Sequence, residues 1–416
     1  MSDLQAYVAG LTDAARKAAR ELRLLSADAK NRALAAVAGR IRDQAPAILA
    51  ANARDLERGR NAGLSAAMLD RLALDGKRIE RLRTSLAEIA AFEDPVGETT
   101  GVRRPAGFTL QKVRTPIGVV LFIYESRPNV TVDAAALTLK SGNAVILRGG
   151  SEALESNRAL AAAIREGIAA AGAPADAVQF VERPEHEAID LLVGTEGRID
   201  LVIPRGGEAL IRRVTERSRV PVIKHYKGVC HLYVDASADL AMAVKVVVNS
   251  KVQRPGVCNA LEKLLVHADV APAFLPALRE AMPRVELRGC PRTLAILPGA
   301  KAAAERDWDE EYLDLVLAVR VVDGLDEACA HIERHGSSHT DGILATDAAA
   351  IERFVAAVDS AAVVVNASTR LNDGGVFGLG AEIGISTDKL HARGPMGLRE
   401  LTCYKWVGRG EGLVRT

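Results

Sequence analysis

One cysteine, Cys258, stands in a setting suited to covalent chemistry. It lies in the segment NSKVQRPGVCN, where Pro255 and Gly256 stop a preceding helix and force a turn. Reactive thiols need partial exposure and positive surroundings, and Lys251 and Arg254 are close in sequence. Backbone N–H groups around such a turn can also stabilise an oxyanion. The local pattern alone leaves two interpretations open: a nucleophile, or, as for most free cysteines, a buried thiol that packs as a small apolar residue.

Two glycine-rich junctions, RGGSEA at 148–153 and PRGGEAL at 204–210, each follow a predicted strand and open a helix. Backbone N–H groups at a helix N-terminus form a suitable site for a phosphate or pyrophosphate. Neither junction is a Gly-x-Gly-x-x-Gly fingerprint, and a glycine-rich turn after a strand is more often only a turn. Two of them in one sheet, each beside an arginine, suggest a nucleotide-cofactor site. Its candidate residues are Arg148, Gly149, Gly150, Ser151, Gly206 and Gly207.

The stretch HIERHGSSHTDGI concentrates three histidines, His331, His335 and His339, four residues apart. His331 and His335 could share a helix face and bind a metal ion. However, Gly336 is expected to end that helix, and the His-Glu-x-x-His order is missing. We therefore predict no metal site here, and instead a hydrogen-bonded loop near the active site. In a second cluster, HYKGVCH, alternation with apolar residues favours core packing of Cys230.

The elements that must position these residues alternate between strand and helix from residue 119 onward. The runs VVLFIY, AVILR, VQFV and DLVIP are typical of strands buried on both faces, and PVIK at 221–224 predicts a further strand. A second series after Gly228 includes HLYVD, ALEKLLVH, LDLVLAVRVV and AAVVVN. The fold class indicated is α/β, with two doubly wound parallel-sheet domains.

The two ends of the chain lack the strand–helix alternation of the α/β region. Apolar residues at helical spacing predict three helices in the first ninety-odd residues, broken near Ser26 and Gly63. The segment GETTGVRRPAGFTLQKVRTPIG alternates over 109–113 and predicts a two-stranded ribbon, and ELTCYKWVG predicts a closing strand. The glycine-rich stretch 378–401 predicts a functional loop, because long loops in compact proteins usually have a function.

Composition narrows the class of protein. The 54 basic and 53 acidic residues nearly cancel, which argues against a nucleic-acid or membrane-surface partner. The first residues lack a signal-peptide core, and no stretch approaches the length of a membrane span. The five cysteines are scattered without a Cys-x-x-Cys pair, which favours reduced thiols. We expect a cytoplasmic multidomain enzyme that acts on a small molecule.

Four long segments resemble the proline-biosynthesis branch of the aldehyde dehydrogenase superfamily: QRPGVCNALE, HIERHGSSHTDGI, ASTRLNDGGVFGLGAEIGIST and KLHARGPMGLRELTCYKWVGRG. The resemblance covers essentially the whole chain and departs at Cys329, where the branch usually has an aliphatic residue. It implies an aldehyde dehydrogenase-like fold with three parts. These are a nicotinamide cofactor-binding domain at 1–101 and 117–228, a catalytic domain at 229–395, and a β-ribbon oligomerisation element at 102–116 and 396–416.

The same resemblance implies NADPH-dependent reduction of L-glutamate 5-phosphate to L-glutamate 5-semialdehyde and phosphate, through a thioester on Cys258. Hydrolytic aldehyde dehydrogenases carry a Glu-Leu-Gly-Gly segment whose glutamate activates water. The matching segment here is KHYKG, from Lys224 to Gly228. Losing the carboxylate protects the thioester from water, and added lysines suit an anionic acyl phosphate. A homo-oligomer is also implied, while dimer or tetramer, and association with the pathway's glutamate 5-kinase, stay open.

Residue roles implied by the resemblance are oxyanion binding by Asn129, nicotinamide-ribose binding by Glu311, and 2′-phosphate binding by Arg148. For the substrate's carboxylate and phosphate the candidates are Arg127, Arg254 and His339. Two alternatives stay open. One is a related reductase that acts on an acyl-CoA or another acyl phosphate. The other is a catalytically silent, structural member, although such a chain would be expected to lack the nucleophile.

Overall fold

The computed structural model describes residues 2–104, 108–125 and 127–414, which form two units. The first unit takes in Met1–Lys224, Leu379–Gly384 and Met396–Thr416, and the second takes in His225–Gly378 and Ile385–Pro395. The boundary falls four residues earlier than predicted, and the ribbon strands belong to the first unit. The roles predicted for the three parts, namely cofactor binding, catalysis and oligomerisation, stay predictions.

Five helices open the first unit, where three were predicted. The predicted breaks are confirmed: the Ser26 hydroxyl caps the second helix by accepting from the Ala29 N–H, and Gly63 adopts a φ of +73°. A further break falls at Gln44, because Pro46 is well suited to the first turn of a new helix. The helices are α1 (Asp3–Leu22), α2 (Ala27–Asp43), α3 (Ala45–Asn61), α4 (Ala66–Leu72) and α5 (Gly76–Ala91).

A four-stranded parallel sheet forms the centre of the first unit, with order β5-β4-β3-β6. Every residue of β3 and β4 is buried, as the continuous apolar runs predicted. The strands are β3 (Val119–Tyr124), β4 (Ala144–Arg148), β5 (Val178–Phe180) and β6 (Leu201–Arg205). The helices between and after them are α6 (Pro128–Lys140), α7 (Leu154–Ala170), α8 (His186–Val193) and α9 (Glu208–Arg217).

The strand predicted at 221–224 is wrong. The segment makes only a single bridge, between Val222 and Val202. In a parallel ladder the next bond would need an N–H from residue 204 to the carbonyl of Ile223. Residue 204 is Pro204, which has no N–H to donate, so the pairing ends after one residue.

The predicted two-stranded ribbon is a three-stranded antiparallel sheet. Its strands are β1 (Thr99–Arg103), β2 (Phe108–Pro116) and the predicted closing strand, β16 (Thr402–Gly410). β16 pairs with β2 over nine residues. Arg114 secures this pairing by donating to the hydroxyls of Thr402 at 2.7 Å and Tyr404 at 2.6 Å. Residues 105–107, within the predicted ribbon, lie outside the described part of the chain.

The second unit is built on a seven-stranded parallel sheet with order β10-β9-β11-β8-β7-β12-β13. Its strands are β7 (Cys230–Val234), β8 (Leu261–His267), β9 (Glu286–Gly289), β10 (Lys301–Ala302), β11 (Val316–Val322), β12 (Thr340–Leu344) and β13 (Ala362–Val365). Its helices are α10 (Leu240–Val252), α11 (Ala271–Ala281), α12 (Pro291–Ile296), α13 (Leu325–His335) and α14 (Ala348–Ala357). A small antiparallel pair, β14 (Ile385–Ser386) and β15 (Gly394–Pro395), lies in the glycine-rich stretch.

Sequence patterns missed three strands of this sheet: β9, β10 and β12. β12 has the sequence TDGIL, whose polar first half hides the strand although all five residues are buried. Within the described residues, no helix has both the length and the apolar character needed to cross a membrane.

Candidate active site

Cys258 occupies the loop predicted for it. Helix α10 ends at Val252 and β8 begins at Leu261, so Pro255, Gly256 and Cys258 lie in the connection between them. The thiol is half-buried, whereas that of Cys230 is fully buried. Cys230 packs as predicted, and its Sγ–H donates to the carbonyl oxygen of Cys258 at 3.2 Å. The candidate nucleophile therefore has a fixed backbone and an accessible side chain.

Gly228 allows a very close approach between two segments of backbone. A Cβ at this position would lie 1.9 Å from the carbonyl oxygen of Cys258 and 2.7 Å from its Cα. The Gly228 N–H donates to Oε1 of Glu311 at 2.9 Å. Glu311, predicted to bind the nicotinamide ribose, is thus placed close to the nucleophile loop, and that role stays a prediction. The structural role of Gly228 was not predicted from the sequence, where this residue stands out only as the end of the KHYKG segment.

Two imidazoles stand beside the Cys258 thiol. Ring nitrogens of His225 and His339 and the Sγ of Cys258 all lie within 4.8 Å of one another, and the two rings are 5.5 Å apart. His339 Nδ1 is 2.8 Å from Oγ1 of Thr340, which also accepts from the side-chain amide of Asn372 at 2.8 Å. The structure therefore brings His339 to the predicted site. It adds His225, which the sequence had marked as part of the HYKGVCH cluster and of the replaced glutamate segment but not as a site residue.

Arginines supply positive charge near the thiol. Arg370 donates from Nε to Gln253 Oε1 at 2.9 Å and from Nη1 to Oδ1 of Asn259. Burial lowers the pKa of Arg370, and the charge of Arg254 lowers it further, while Cys258 in its ionised form opposes the shift. The two guanidiniums are therefore within electrostatic range of each other. Arg254 was predicted for substrate binding, a role that stays a prediction, whereas Arg370 was missed.

Lys251, which is close to Cys258 in sequence, forms a buried ion pair with Glu262. Its side chain is fully buried, with Nζ 3.3 Å from Oε2 of Glu262. Glu262 also accepts the backbone N–H groups of Tyr312 at 3.2 Å and Leu313 at 3.3 Å. Burial raises the pKa of Glu262 and lowers that of Lys251. This buried pair fixes the loop that carries Glu311.

In the first unit, Arg148 and the glycines after it end β4. The Arg148 side chain is buried and donates to the carbonyl oxygens of Gly149 at 3.0 Å and Pro184 at 2.9 Å. Burial lowers its pKa. Gly150 precedes a short 3₁₀ turn at 151–153, whose first residue, Ser151, is exposed. The predicted helix start is thus a 3₁₀ turn followed by α7, and the predicted cofactor roles stay predictions.

The second glycine junction ends β6. Gly207 caps α9, and its N–H donates to Oε2 of Glu125 at 3.0 Å. A Cβ at Gly206 would lie 2.6 Å from the same carboxyl group, so the Glu125 side chain would have to move to make room for it. The role of Glu125 was not predicted from the sequence.

Arg127 and Asn129, the predicted substrate and oxyanion residues, are exposed at the start of α6, where the Asn129 amide donates to Asp133 at 3.1 Å. Their predicted roles stay predictions.

Of the histidines on α13, the first is enclosed by other rings. His331 lies 4.6 Å from the His335 ring, 5.6 Å from His231 and 5.3 Å from Trp308. The predicted helix end is confirmed, because the Gly336 N–H donates to Ile332 as the helix terminates. Burial, together with unfavourable interactions with nearby histidines and cations, lowers the pKa of His331 to about 2. The interacting groups are His231, His335, Arg320 and Lys263.

This buried ring should make the stability of the protein sensitive to acid. The folded pKa of His331 is lower than the unfolded value near 6.5, so the unfolded state binds the proton more readily. Stability is therefore full above pH 6.5 and falls by about 1.4 kcal/mol per pH unit below it. We expect wild type to lose about 2 kcal/mol more than His331→Leu between pH 7 and pH 5.

The measurement is urea unfolding at the two pH values, followed by circular dichroism. The matched control is His186→Gln, because His186 is exposed on α8 and its loss should leave the acid sensitivity as in wild type. Equal losses in wild type and His331→Leu would contradict the assignment.

Comparisons with known proteins show the family to which the chain belongs. A sequence model described as the Aldehyde dehydrogenase family matches residues 4–294. The gamma-glutamyl phosphate reductase of Geotalea daltonii is 55% identical over 404 residues, 96% of this chain and 97% of that protein. The one from Anaeromyxobacter sp. is 56% identical over 420 residues, 99% of this chain and 98% of that protein. A crystal structure of the Thermotoga maritima gamma-glutamyl phosphate reductase matches with a TM-score of 0.97 and 45% identity, covering 98% of this chain and 100% of that one.

The chain therefore belongs to the aldehyde dehydrogenase family, whose members use NAD(P). Within that family it belongs to the gamma-glutamyl phosphate reductases, to which it is similar over nearly its full length. The resemblance seen in the sequence motifs and the predicted fold class are both confirmed.

Proposed function

We propose that the chain catalyses the NADPH-dependent reduction of L-glutamate 5-phosphate to L-glutamate 5-semialdehyde and phosphate, with Cys258 as the nucleophile. Reduction of glutamyl phosphate in proline biosynthesis is the activity of the branch to which the chain belongs. The observation that supports the mechanism is the half-buried Cys258 thiol, placed beside the imidazoles of His225 and His339.

The residues around Cys258 suit attack on an acyl phosphate. The Cys258 thiol gives its proton to a neighbouring imidazole, and the sulfur then bonds to the acyl carbon as the phosphate leaves. The positive charges of Arg254 and Arg370 stabilise the anionic phosphate, and Asn129 is the candidate for binding the oxyanion. The segment that supplies a water-activating glutamate in hydrolytic relatives is KHYKG here, and the absence of that carboxylate favours a thioester that survives until it is reduced.

The glycine junctions of the first unit fit the phosphates of a nicotinamide cofactor. The Gly207 N–H, at the N-terminus of α9, already donates to the carboxylate of Glu125, and a Cβ at Gly206 would lie close to the same carboxyl group. Gly149, Gly150, Ser151 and Arg148 are the candidates at the first junction, and Glu311 is the candidate for the nicotinamide ribose. When bound, the cofactor supplies the hydride that converts the thioester to the aldehyde.

The three-stranded ribbon is the candidate surface for a homo-oligomer. It exposes large apolar side chains, with Val102 48%, Tyr404 42% and Trp406 55% exposed. Exposed apolar residues on a small sheet with open edges are typical of a surface that pairs with another chain. We propose that a second copy of the chain covers this sheet. The scattered reduced cysteines suit a cytoplasmic setting.

The activity is tested in the reverse direction, by following NADP⁺ reduction with glutamate semialdehyde plus inorganic phosphate. We expect turnover that depends on both phosphate and the semialdehyde. Replacing phosphate with coenzyme A tests the related acyl-CoA reductase, and we expect no turnover in that case. Activity with coenzyme A but not with phosphate would overturn the proposed substrate, and inactivity with every aldehyde tried would overturn the proposed reaction.

A further inference from the structure

Three side chains of the second unit form a set that suits a soft divalent cation. His225 precedes β7, Cys258 precedes β8 and His339 precedes β12, so three separate strands bring them together. One nitrogen from each ring and the Cys258 sulfur all lie within 4.8 Å of one another. Thiolate and imidazole are the ligands that Zn²⁺ prefers. We propose that this set, the His225–Cys258–His339 site, binds a cation of the zinc class, which reversibly blocks the thiol.

The geometry is close to that of a tetrahedral site. Bond lengths near 2.3 Å to sulfur and 2.0–2.1 Å to nitrogen place the ligand atoms about 3.3–3.7 Å apart. Closing from 4.8 Å to that range requires movements of about 1 Å, which rotation of the half-buried His225 side chain can provide. Three protein ligands leave a fourth position for water, as in open zinc sites.

The surroundings hold two of the three ligands in place. The Cys258 backbone is fixed by its contact with Gly228 and by the hydrogen bond from Cys230. His339 Nδ1 lies 2.8 Å from the Thr340 hydroxyl, the kind of contact that orients a metal-binding imidazole. The site is therefore largely formed before a cation binds, which favours affinity.

Cys230 is the other thiol near these imidazoles, with Sγ 3.8 Å from His339 Nδ1. Its side chain is fully buried and its Sγ–H donates to the carbonyl oxygen of Cys258 at 3.2 Å, so this thiol is tied to the backbone. Cys258 is the half-buried member of the pair, and its Sγ lies within 4.8 Å of ring nitrogens of both His225 and His339. Cys258 is therefore the sulfur ligand.

A cation bound here would inhibit the enzyme. Its bond to sulfur uses the lone pair that attacks the acyl carbon, so cation and substrate compete for one atom. This consequence rests on the proposed function, whereas the binding itself does not. Cation binding and inhibition are therefore measured separately. A spectrum reports the metal–sulfur bond, and the enzymatic activity reports whether Cys258 can still act as the nucleophile.

The binding test is titration of the full-length chain with Co²⁺, which substitutes for Zn²⁺ and is coloured. We expect one equivalent to give a sulfur-to-cobalt charge-transfer band and the visible bands of a four-coordinate ion. Cys258→Ser should abolish the charge-transfer band. His225→Ala should weaken binding at least about tenfold, since even the loss of an outer contact costs 10–100-fold. Circular dichroism of each variant checks that it is folded.

Two cysteine variants serve as controls. Cys329→Ser removes a partly buried thiol outside the site and should leave the spectrum unchanged. Cys230→Ser should retain the charge-transfer band, and a band lost in Cys230→Ser but retained in Cys258→Ser would overturn the assignment of the ligand. Alkylation by iodoacetamide provides a second measurement, because bound Zn²⁺ should protect Cys258 when its peptide is analysed by mass spectrometry.

The activity test adds Zn²⁺ to the wild-type enzyme and then a chelator. Inhibition that the chelator reverses supports the proposal. A Cys258-dependent cobalt spectrum with full activity would overturn both the inhibition and Cys258 as nucleophile. A normal activity without any cobalt spectrum would overturn the metal site alone.

Discussion

Replacing the Cys258 sulfur with oxygen, in Cys258→Ser, is expected to lower kcat/KM by at least about 10³-fold, because removal of a nucleophile costs up to about 10⁶ in other enzymes. The serine hydroxyl is almost isosteric with the thiol, but it ionises far less readily at neutral pH. The loop that carries it should stay intact, since its position depends on backbone contacts with Gly228 and Cys230. The measurement is NADP⁺ reduction with glutamate semialdehyde and phosphate.

The matched control for this loss is Cys329→Ser. Cys329 is partly buried on α13 and packs against an apolar core cluster of the second unit. We expect its replacement to change kcat/KM by less than about threefold. If Cys258→Ser retained activity within tenfold of this control, no thioester on Cys258 could be part of the reaction.

The features that could be predicted from the sequence are those that local spacing determines. Continuous apolar runs identified β3 and β4 because both faces of these strands are buried. The loop of Cys258 could be predicted because Pro255 and Gly256 act on their immediate neighbours. The end of α13 was predicted correctly for the same reason, since Gly336 alone is enough to stop a helix.

The partners of Cys258 depend on which strands become neighbours, and no local pattern encodes that. His225 reaches the thiol because β7 pairs with β8, with Cys230 opposite Leu261. His339 reaches it because β12 lies on the other side of β7. Arg370 is more than a hundred residues from Asn259, which it contacts. The pairing of Lys251 with Glu262 could not be predicted, because the position of a residue along the chain says nothing about what it is buried against.

The Gly228→Ala substitution should produce the second large effect, because it adds one carbon where no space exists. The new Cβ would meet backbone atoms of Cys258, which cannot rotate away as a flexible side chain could. One of the two segments must therefore shift by about 1 Å, a displacement that can cost about 100-fold in rate. We expect kcat/KM to fall by about that factor and the free energy of unfolding to fall by about 1–3 kcal/mol.

The matched control is Gly299→Ala, in the same unit, where an added Cβ would meet no atom within 4 Å. Neither glycine has a positive φ, so the two variants differ in contact and not in backbone strain. Activity assays well below the melting temperature of Gly228→Ala separate misplacement of the thiol from unfolding. Slower alkylation of Cys258 by iodoacetamide in the folded variant would locate the defect at the nucleophile. Equal kcat/KM in the two alanine variants would mean that contact with Gly228 does not position the thiol. The loop would then have to depend on the Cys230 hydrogen bond and the Asn259–Arg370 contact instead.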